Sequence, residues 1–142
     1  MIVDTSAVIT MLGGNVGTAP SRASVKAALE DAELNGEASK ISAPLMVELG
    51  MVMGSKFPGI DPWSVITALG IVAVSFDQPQ ARIALMAHER YGIRSGSKAR
   101  LNMGDCMSYA LAVHLGERLL FVGDDFIHTD VPQAIDRTAP RD

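Results

Sequence analysis

The sequence predicts one α/β domain built on a mainly parallel sheet, and two observations support this prediction. Short apolar, strand-like runs alternate with segments whose apolar residues recur at helical spacing, which is the pattern of helices packed on a parallel sheet. The chain has 142 residues, of which 48% are hydrophobic and 20% charged. It therefore carries enough apolar material for a core and has no disorder signature. We expect residues 1–138 to form the domain and residues 139–142 to fray.

In the first half of the chain, glycine, proline and helical periodicity mark the elements. The predicted strands are 2–3 and 40–43, and the predicted helices are 5–14, 21–34 and 44–55. The first helix stops at Gly13-Gly14, and the run GGNVGTAPS that follows has the composition of a loop. The second helix places Val25 and Leu29 on one apolar face. Pro44 suits the first turn of the third helix.

In the second half, β-branched runs and a terminal glycine mark the elements. The predicted helices are 62–70, 79–92 and 106–116, and the predicted strands are 71–76 and 118–123, with a short last strand over 133–138. IVAVSF is β-branched and strand-like. Asp105 stands at the start of the last helix, and Gly116 closes it.

Charge and cysteine content narrow the class of protein. The formal charge is −4 and the pI is about 5.3, whereas nucleic-acid binders usually show a basic surface. Several carboxylates gathered around a metal ion would also give the chain a negative net charge. The single cysteine, Cys106, fits a reducing compartment. The first predicted strand begins at Ile2, so we expect no signal peptide, and no apolar run approaches bilayer length. We therefore predict a cytoplasmic protein without membrane association.

Four acidic positions interrupt runs of apolar and small residues. They are Asp4, Glu48, Asp105 and the adjacent pair Asp124 and Asp125. An unpaired carboxylate in apolar surroundings is costly, and these runs offer no matching lysine or arginine. Asp4 and Asp124 follow predicted strands, and ligands of parallel sheets bind beyond the carboxyl ends of strands. Carboxylates suit Mg²⁺ or Mn²⁺ rather than zinc, so the pattern predicts a metal centre suited to phosphodiester hydrolysis.

Each of these residues also has a purely structural interpretation. Asp4 and Asp105 are both placed to cap helices. Glu48 would lie on a solvated helix face, and Asp124 and Asp125 would be turn residues. The metal interpretation is favoured because all the positions fall at equivalent places in the predicted topology.

Four stretches of the chain, taken in order, resemble the PIN-domain family. They are MIVDTSAVI, ISAPLMVELGMVM, LNMGDCMSYALA and LLFVGDDFIHTDV, and together they run from Met1 to about Val131. More narrowly, the chain resembles the VapC toxins of type II bacterial toxin–antitoxin pairs. The resemblance implies a three-layer α/β/α fold with a five-stranded parallel sheet. It also implies Mg²⁺-dependent endoribonuclease activity in which Mn²⁺ substitutes, a VapB antitoxin whose tail blocks the site, and a homodimer.

The resemblance also assigns roles to residues. Asp4 and Asp105 become the main metal ligands, and Glu48 and Asp124 complete the cluster, with Asp125 as the alternative to Asp124. Ser6 and Thr5 are supporting residues beside the site. The expected reaction is in-line attack by metal-activated water, which leaves a 5′-phosphate and a 3′-hydroxyl.

A basic run precedes Asp105 and admits two interpretations. Arg94, Lys98 and Arg100 lie in the loop IRSGSKARLN, where they would contact RNA phosphates beside the metal or remain ordinary solvated side chains.

Three alternative functions follow from the acidic pattern. A haloacid-dehalogenase-like phosphatase needs a second Asp two residues after its nucleophile, and Ser6 occupies that position. A receiver-like signalling module needs an early acidic pair and a late lysine, and no lysine follows Lys98. A non-catalytic PIN fold that acts as a binding module is the third alternative.

Overall fold

A parallel sheet flanked by helices forms the centre of the computed structural model, which describes residues 1–137. Residue 138, the end of the predicted domain, and the predicted tail 139–142 lie outside the described residues. The strands are β1 (Ile2–Val3), β2 (Ser39–Ser42), β3 (Ile71–Val74) and β4 (Leu119–Leu120). The helices are α1 (Thr5–Met11), α2 (Arg22–Leu34), α3 (Leu45–Lys56), α4 (Pro62–Ala68), α5 (Gln78–Tyr91) and α6 (Met103–Leu115).

The strands lie in the order β3-β2-β1-β4 and all neighbours are parallel. The chain moves outward from β1 through β2 to β3 and then returns to place β4 on the other side of β1. Strand order therefore reverses between β1 and β4, which is where a crevice opens beyond the carboxyl ends of parallel strands. Asp4 follows β1 directly, and the segment after β4 lies beside it, since Asp4 N donates to Leu120 O at 2.9 Å.

The prediction of five strands is wrong for residues 1–137, where the sheet has four. The segment predicted as a last strand pairs with β4 through one isolated parallel bridge between Leu119 and Gln133. Leu119 N donates to Pro132 O at 2.8 Å and Ala134 N donates to Leu119 O at 2.9 Å, and no further bridge joins this segment to β4 among residues 1–137. The segment thus begins alongside the sheet edge but does not extend the ladder.

The sheet separates two hydrophobic cores, and the alternation along its strands shows this. Val3 and Leu120 pack into one core with side chains of α1, α2, α3 and α4. Ile2 and Leu119 point the opposite way, into a core with α5 and α6. Helices therefore cover both faces of the sheet, and the crevice beyond β1 and β4 lies between the two helical layers.

Local signals in the sequence fix the helix ends. Ser21, Asp61 and Asp77 cap α2, α4 and α5, each accepting a backbone N–H at the first turn. Gly116 ends α6 in the left-handed conformation at φ 66°. Among residues 1–137, none of the helices combines the length and apolarity needed to cross a membrane.

Candidate active site

Asp4 is the most deeply buried carboxylate of the crevice, with 6% of its surface exposed. It caps α1: its Oδ2 accepts from Ser6 N at 3.0 Å and from Ser6 Oγ at 2.6 Å. The hydroxyl of Ser108 on α6 donates to Oδ1 at 2.6 Å. Ser6 Oγ also accepts from Val122 N at 3.0 Å. The Asp4 carboxylate is thus fixed by hydroxyls that connect β1, α6 and the segment after β4.

Asp105 occupies the third position of α6, where it completes a capping box. Its Oδ2 accepts from Asn102 N at 3.0 Å, while Asn102 Oδ1 accepts from Asp105 N at 2.9 Å. Burial, followed by the negative charge of Asp4, raises the pKa of Asp105 to about 7. The charges of Asp125 and Glu48 raise this pKa further, and the Asn102 amide opposes the rise. Asp105 therefore lies in a strongly negative environment.

Glu48 projects from the first turn of α3 toward the start of α6. Its carboxylate lies against Gly104: a Cβ atom at that position would overlap Glu48 Oε2. Glu48 is an exposed residue, but partial burial of its carboxyl, followed by the charge of Asp4, raises its pKa, and a hydrogen bond from the Thr5 hydroxyl opposes this rise. Thr5 Oγ1 is buried, and apart from this interaction with Glu48 it meets no hydrogen-bond partner among the described residues.

The two aspartates that follow β4 differ in their surroundings. Both residues are exposed, but only Asp124 forms an ion pair among the described residues: its Oδ1 pairs with Arg137 Nη1 at 3.0 Å. Burial, followed by the charges of Asp4 and Asp124, raises the pKa of Asp125. Asp125 in turn raises the pKa of Asp105. The residue that shares the electrostatic environment of Asp4 and Asp105 is therefore Asp125, and Asp124 is turned toward an arginine.

We refer to Asp4, Glu48, Asp105 and Asp125 as the acidic cluster. Within residues 1–137 none of the four forms an ion pair with a lysine, an arginine or the amino terminus. An oxygen-only, uncompensated set of this kind matches the ligand chemistry of Mg²⁺ or Mn²⁺. The buried Thr5 hydroxyl, which interacts only with Glu48 among the described residues, adds an oxygen beside the cluster.

The side chains of the acidic cluster do not form a complete metal-binding site. No three Asp, Glu, His or Cys side chains of the described residues converge closely enough to hold one ion together. The negative charge of Asp4 raises the pKa of each of the other three carboxyls, and the charges of Asp125 and Glu48 also raise that of Asp105. The donor chemistry therefore fits a divalent cation, and the side chains do not yet enclose one.

The predicted basic residues lie in the segment between α5 and α6, which a parallel bridge between Gly92 and Leu101 closes. Arg94, Lys98 and Arg100 are all exposed, and none of them forms an ion pair among the described residues. Their side chains are therefore available to an anionic ligand.

Four residues of the site were absent from the sequence-based prediction. They are Gly104, Asn102, Ser108 and Arg137. Asn102 has the capping-box spacing to Asp105, and Ser108 lies three residues after Asp105 on the same helix face, so helical spacing would have revealed both. The contact of Gly104 with Glu48 and that of Arg137 with Asp124 join distant parts of the chain and have no local signal.

An apolar groove borders the acidic cluster. It encloses about 490 Å³ between α3 and the start of α6, with Glu48 in its lining. Val47, Met51 and Met103 line it and are exposed by 68%, 73% and 73%. Exposed apolar side chains in one groove are typical of a surface that another protein covers.

Comparisons with known proteins agree with this geometry. A family model described as PIN domain matches residues 1–132. Ribonuclease VapC42 of Mycobacterium tuberculosis is 43% identical over 137 residues, which cover 94% of this chain and 98% of the relative.

Two solved structures share the fold. The crystal structure of FitAcB from Neisseria gonorrhoeae superposes with a TM-score of 0.62 at 20% identity, covering 93% of this chain and 94% of that chain. A toxin–antitoxin complex from Klebsiella pneumoniae gives a TM-score of 0.56 at 18% identity, covering 84% and 82%. The fold, the acidic cluster and the long sequence matches agree, and the chain belongs to the PIN-domain family and, within it, to the VapC ribonucleases.

Proposed function

We propose that this VapC ribonuclease is an endoribonuclease that hydrolyses RNA at the acidic cluster with a bound Mg²⁺ ion, and that it acts as the toxin of a type II toxin–antitoxin pair. The observation that carries the proposal is that four carboxylates from four separate parts of the chain, none of them ion-paired among the described residues, interact electrostatically around the buried Asp4. Because the chain belongs to the PIN-domain family, the phosphatase and receiver alternatives no longer apply. The non-catalytic PIN fold remains as an outcome of the experiment below.

In this proposal Asp4 and Asp105 are the main ligands, and Glu48 and Asp125 complete the set through water or a second ion. A bound Mg²⁺ supplies Lewis-acid activation of water and neutralises charge on the scissile phosphate. Ser6 and Ser108 orient the Asp4 carboxylate through their hydroxyls. Glu48, whose pKa is raised, is suited to accept a proton at a carboxylate oxygen as water attacks. The water oxygen bonds to phosphorus and the 3′-oxygen leaves, which gives a 5′-phosphate and a 3′-hydroxyl.

Substrate binding is assigned to the exposed cations before α6. Arg94, Lys98 and Arg100 are free of ion pairs among the described residues, and Asn102 at the end of the same segment begins the helix that carries Asp105. Phosphate contacts from this segment would position the RNA backbone without reading its sequence. Replacing all three by Gln should raise KM for RNA with little change in kcat, and a change confined to kcat would contradict this assignment.

The antitoxin is assigned to the apolar groove beside Glu48. A VapB-type segment with apolar side chains for the groove and a cation for the acidic cluster matches both surfaces. Purified VapB-type partner should inhibit cleavage, and Met51→Glu should weaken that inhibition without altering turnover of the free enzyme. Equal inhibition of the variant would place the antitoxin elsewhere.

A homodimer and a cytoplasmic location complete the proposal. Leu85 and Met86 expose 63% and 67% of their surfaces on α5, as side chains at a subunit interface do before assembly. Light scattering on the wild type and on Leu85→Glu would test whether this helix joins two copies. The one cysteine is buried and free, which fits a reducing compartment.

The deciding experiment compares RNA 5′ ends in bacterial cells after brief expression of the wild type and of Asp105→Asn. The matched control is Asp61→Asn, because Asp61 caps α4 outside the acidic cluster and asparagine keeps the cap. New 5′-phosphate ends at defined sites are expected with the wild type and the control and not with Asp105→Asn. The purified wild type should make the same cuts with Mg²⁺ and lose them with a chelator. Identical profiles for soluble wild type and Asp105→Asn would favour the non-catalytic PIN fold.

A further inference from the structure

We propose that Arg137 is a positioning residue, which clamps the turn after β4 so that Asp125 faces the acidic cluster while Asp124 is held away from it. The turn consists of Gly123, Asp124 and Asp125, and we call it the acidic turn. This inference rests on the proposed function, since it assigns Asp125 as the fourth acidic residue of that site.

Two contacts of one guanidinium nitrogen define the clamp. Arg137 Nη1 donates to Gly123 O at 2.6 Å and pairs with Asp124 Oδ1 at 3.0 Å. The Arg137 side chain is only 20% exposed, whereas that of Asp124 is 73% exposed. A charge-assisted hydrogen bond from a largely buried guanidinium is stronger than an exposed ion pair. The backbone contact at Gly123 is therefore the firmer half of the clamp, and Asp124 is its exposed partner.

The acidic turn is fixed from two other directions. Gly123 N donates to Ala19 O at 3.0 Å, and Val122 N donates to Ser6 Oγ at 3.0 Å. Gly123 adopts φ 102°, which side chains disfavour. Its N–H is thus held by the loop after α1 and its carbonyl by Arg137. Both backbone groups of Gly123 are therefore engaged, which restricts the backbone from which Asp124 and Asp125 follow.

The clamp explains why two adjacent aspartates have unequal roles. Arg137 pairs with the first of the two adjacent carboxylates. The second is left to the crevice, where Asp4 and Asp105 lie. Arg137 also offsets the charge of Asp124, which otherwise adds to the repulsion that Asp125 experiences from the cluster.

Arg137 lies beyond the last residue matched by the family model, which ends at residue 132. The chain segment after the sheet edge therefore contributes to the site from outside the common domain. A direct phosphate contact is the competing role for Arg137, because an arginine near an acidic metal site also suits an RNA backbone.

The test uses the full-length chain with Arg137→Gln, Arg137→Lys, Asp124→Asn and the Arg137→Gln/Asp124→Asn double variant. Arg90→Gln is the matched control, because Arg90 forms an exposed pair with Asp130 at 3.4 Å. Three quantities are measured: Mn²⁺ affinity by electron paramagnetic resonance, hydrogen exchange of the Gly123 and Val122 amides in metal-free protein, and KM for RNA.

For Arg137→Gln we expect Mn²⁺ binding about tenfold weaker, the usual lower range for losing a residue that orients a ligand. Exchange of the Gly123 amide should accelerate about tenfold. Arg137→Lys should recover part of the Mn²⁺ affinity and part of the protection of the Gly123 amide. The double variant should lose no more Mn²⁺ affinity than Arg137→Gln alone. Arg90→Gln should match the wild type in all three measurements.

Three results would overturn the proposal. Unchanged Mn²⁺ affinity and amide exchange in Arg137→Gln would remove the clamp. If only KM for RNA rises, Arg137 is a phosphate-binding residue. If wild-type protein binds no Mn²⁺ while Arg137→Gln still accelerates Gly123 exchange, the clamp exists but the proposed metal function fails, and its role toward Asp125 fails with it.

Discussion

Ser108 donates a hydrogen bond to Asp4 across the crevice, with 2.6 Å between Ser108 Oγ and Asp4 Oδ1. Ser108 lies one helical turn after Asp105 on α6, so a single helix face carries one acidic residue and orients another. The bond joins the end of β1 to α6, which packs on the face of the sheet opposite to α1. It therefore fixes the relative placement of the two proposed main ligands.

Ser108→Ala should impair the site more than the fold. Alanine fits the volume, but Asp4 Oδ1 loses its donor in a buried position, which should cost about 1–2 kcal/mol of unfolding free energy. Turnover should fall about tenfold at limiting Mg²⁺ and recover partly at high Mg²⁺. Metal titrations of RNA cleavage and thermal melts would measure both effects.

Ser42→Ala is the control for this substitution. Ser42 is fully buried, and its hydroxyl meets no partner among the described residues, so its removal should leave the melting temperature unchanged or raise it. If RNA cleavage by Ser108→Ala depends on Mg²⁺ concentration as it does in the wild type, the hydrogen bond to Asp4 stabilises the fold and does not affect metal binding.

Gly104→Ala should reduce cleavage without destabilising the chain. A Cβ atom at residue 104 overlaps Glu48 Oε2, so the flexible Glu48 side chain must withdraw from the start of α6. Alanine also favours helix over glycine by up to about 1 kcal/mol. We expect turnover to fall at least about tenfold, approaching that of Glu48→Gln, with an equal or higher melting temperature.

Gly54→Ala provides the matched comparison. Gly54 lies in α3, and a Cβ atom there meets nothing within 4 Å, so this variant should gain stability and keep full activity. Full activity in Gly104→Ala would show that the position of the Glu48 carboxylate does not matter for the reaction.

The fold was largely readable from the sequence because its signals are local. Helix caps, terminal glycines and β-branched runs marked all six helices and the four strands of the described residues. The fifth strand, predicted over 133–138, was misjudged, since its existence depends on how many hydrogen bonds this segment makes with β4, and only the bridge at Gln133 forms among the described residues. That is a property of two distant segments rather than of either alone.

The site residues that could be predicted from the sequence were those whose charge interrupts an apolar run. Asp4, Glu48 and Asp105 stood out because each interrupts an uncharged stretch. The choice between Asp124 and Asp125 could not be made, because adjacent residues share every local signal. Arg137 distinguishes them by its contact with Asp124, and this contact exists only once the chain has folded.

Asp105→Asn should stabilise the metal-free protein as the pH rises. The pKa of Asp105 is about 7 in the folded chain, against 3.8 as the ordinary value. Below about pH 4 the carboxyl is protonated in both states and costs nothing. Between the two values only the unfolded state releases the proton, so wild-type stability falls as the pH rises, and it levels off above about pH 7. Asparagine escapes this loss, and its gain should reach on the order of 3 kcal/mol at pH 8.

Denaturant unfolding of both proteins at pH 5 and pH 8, with chelator present, would measure that gain. Asp61→Asn should behave in the opposite sense, because hydrogen bonds from Ser64 lower the pKa of the exposed Asp61 carboxyl, which favours the folded state above that pKa. An Asp105→Asn protein no more stable than the wild type at pH 8 would mean that neither burial nor the neighbouring charges penalise the ionised Asp105 carboxyl in the folded chain.

Mn²⁺ affinity should rise steeply between about pH 6 and pH 8, well above the range in which ordinary carboxyls titrate. Binding needs the ionised form of Asp105, whose pKa is about 7, and of Glu48 and Asp125, whose pKa values are also raised. Metal binding must therefore expel protons near neutrality. Calorimetry in two buffers of different ionisation enthalpy should detect about one proton released per ion at pH 6.5 and fewer at pH 8. An affinity that stays constant over this range, with no proton release, would show that the ion bypasses Asp105.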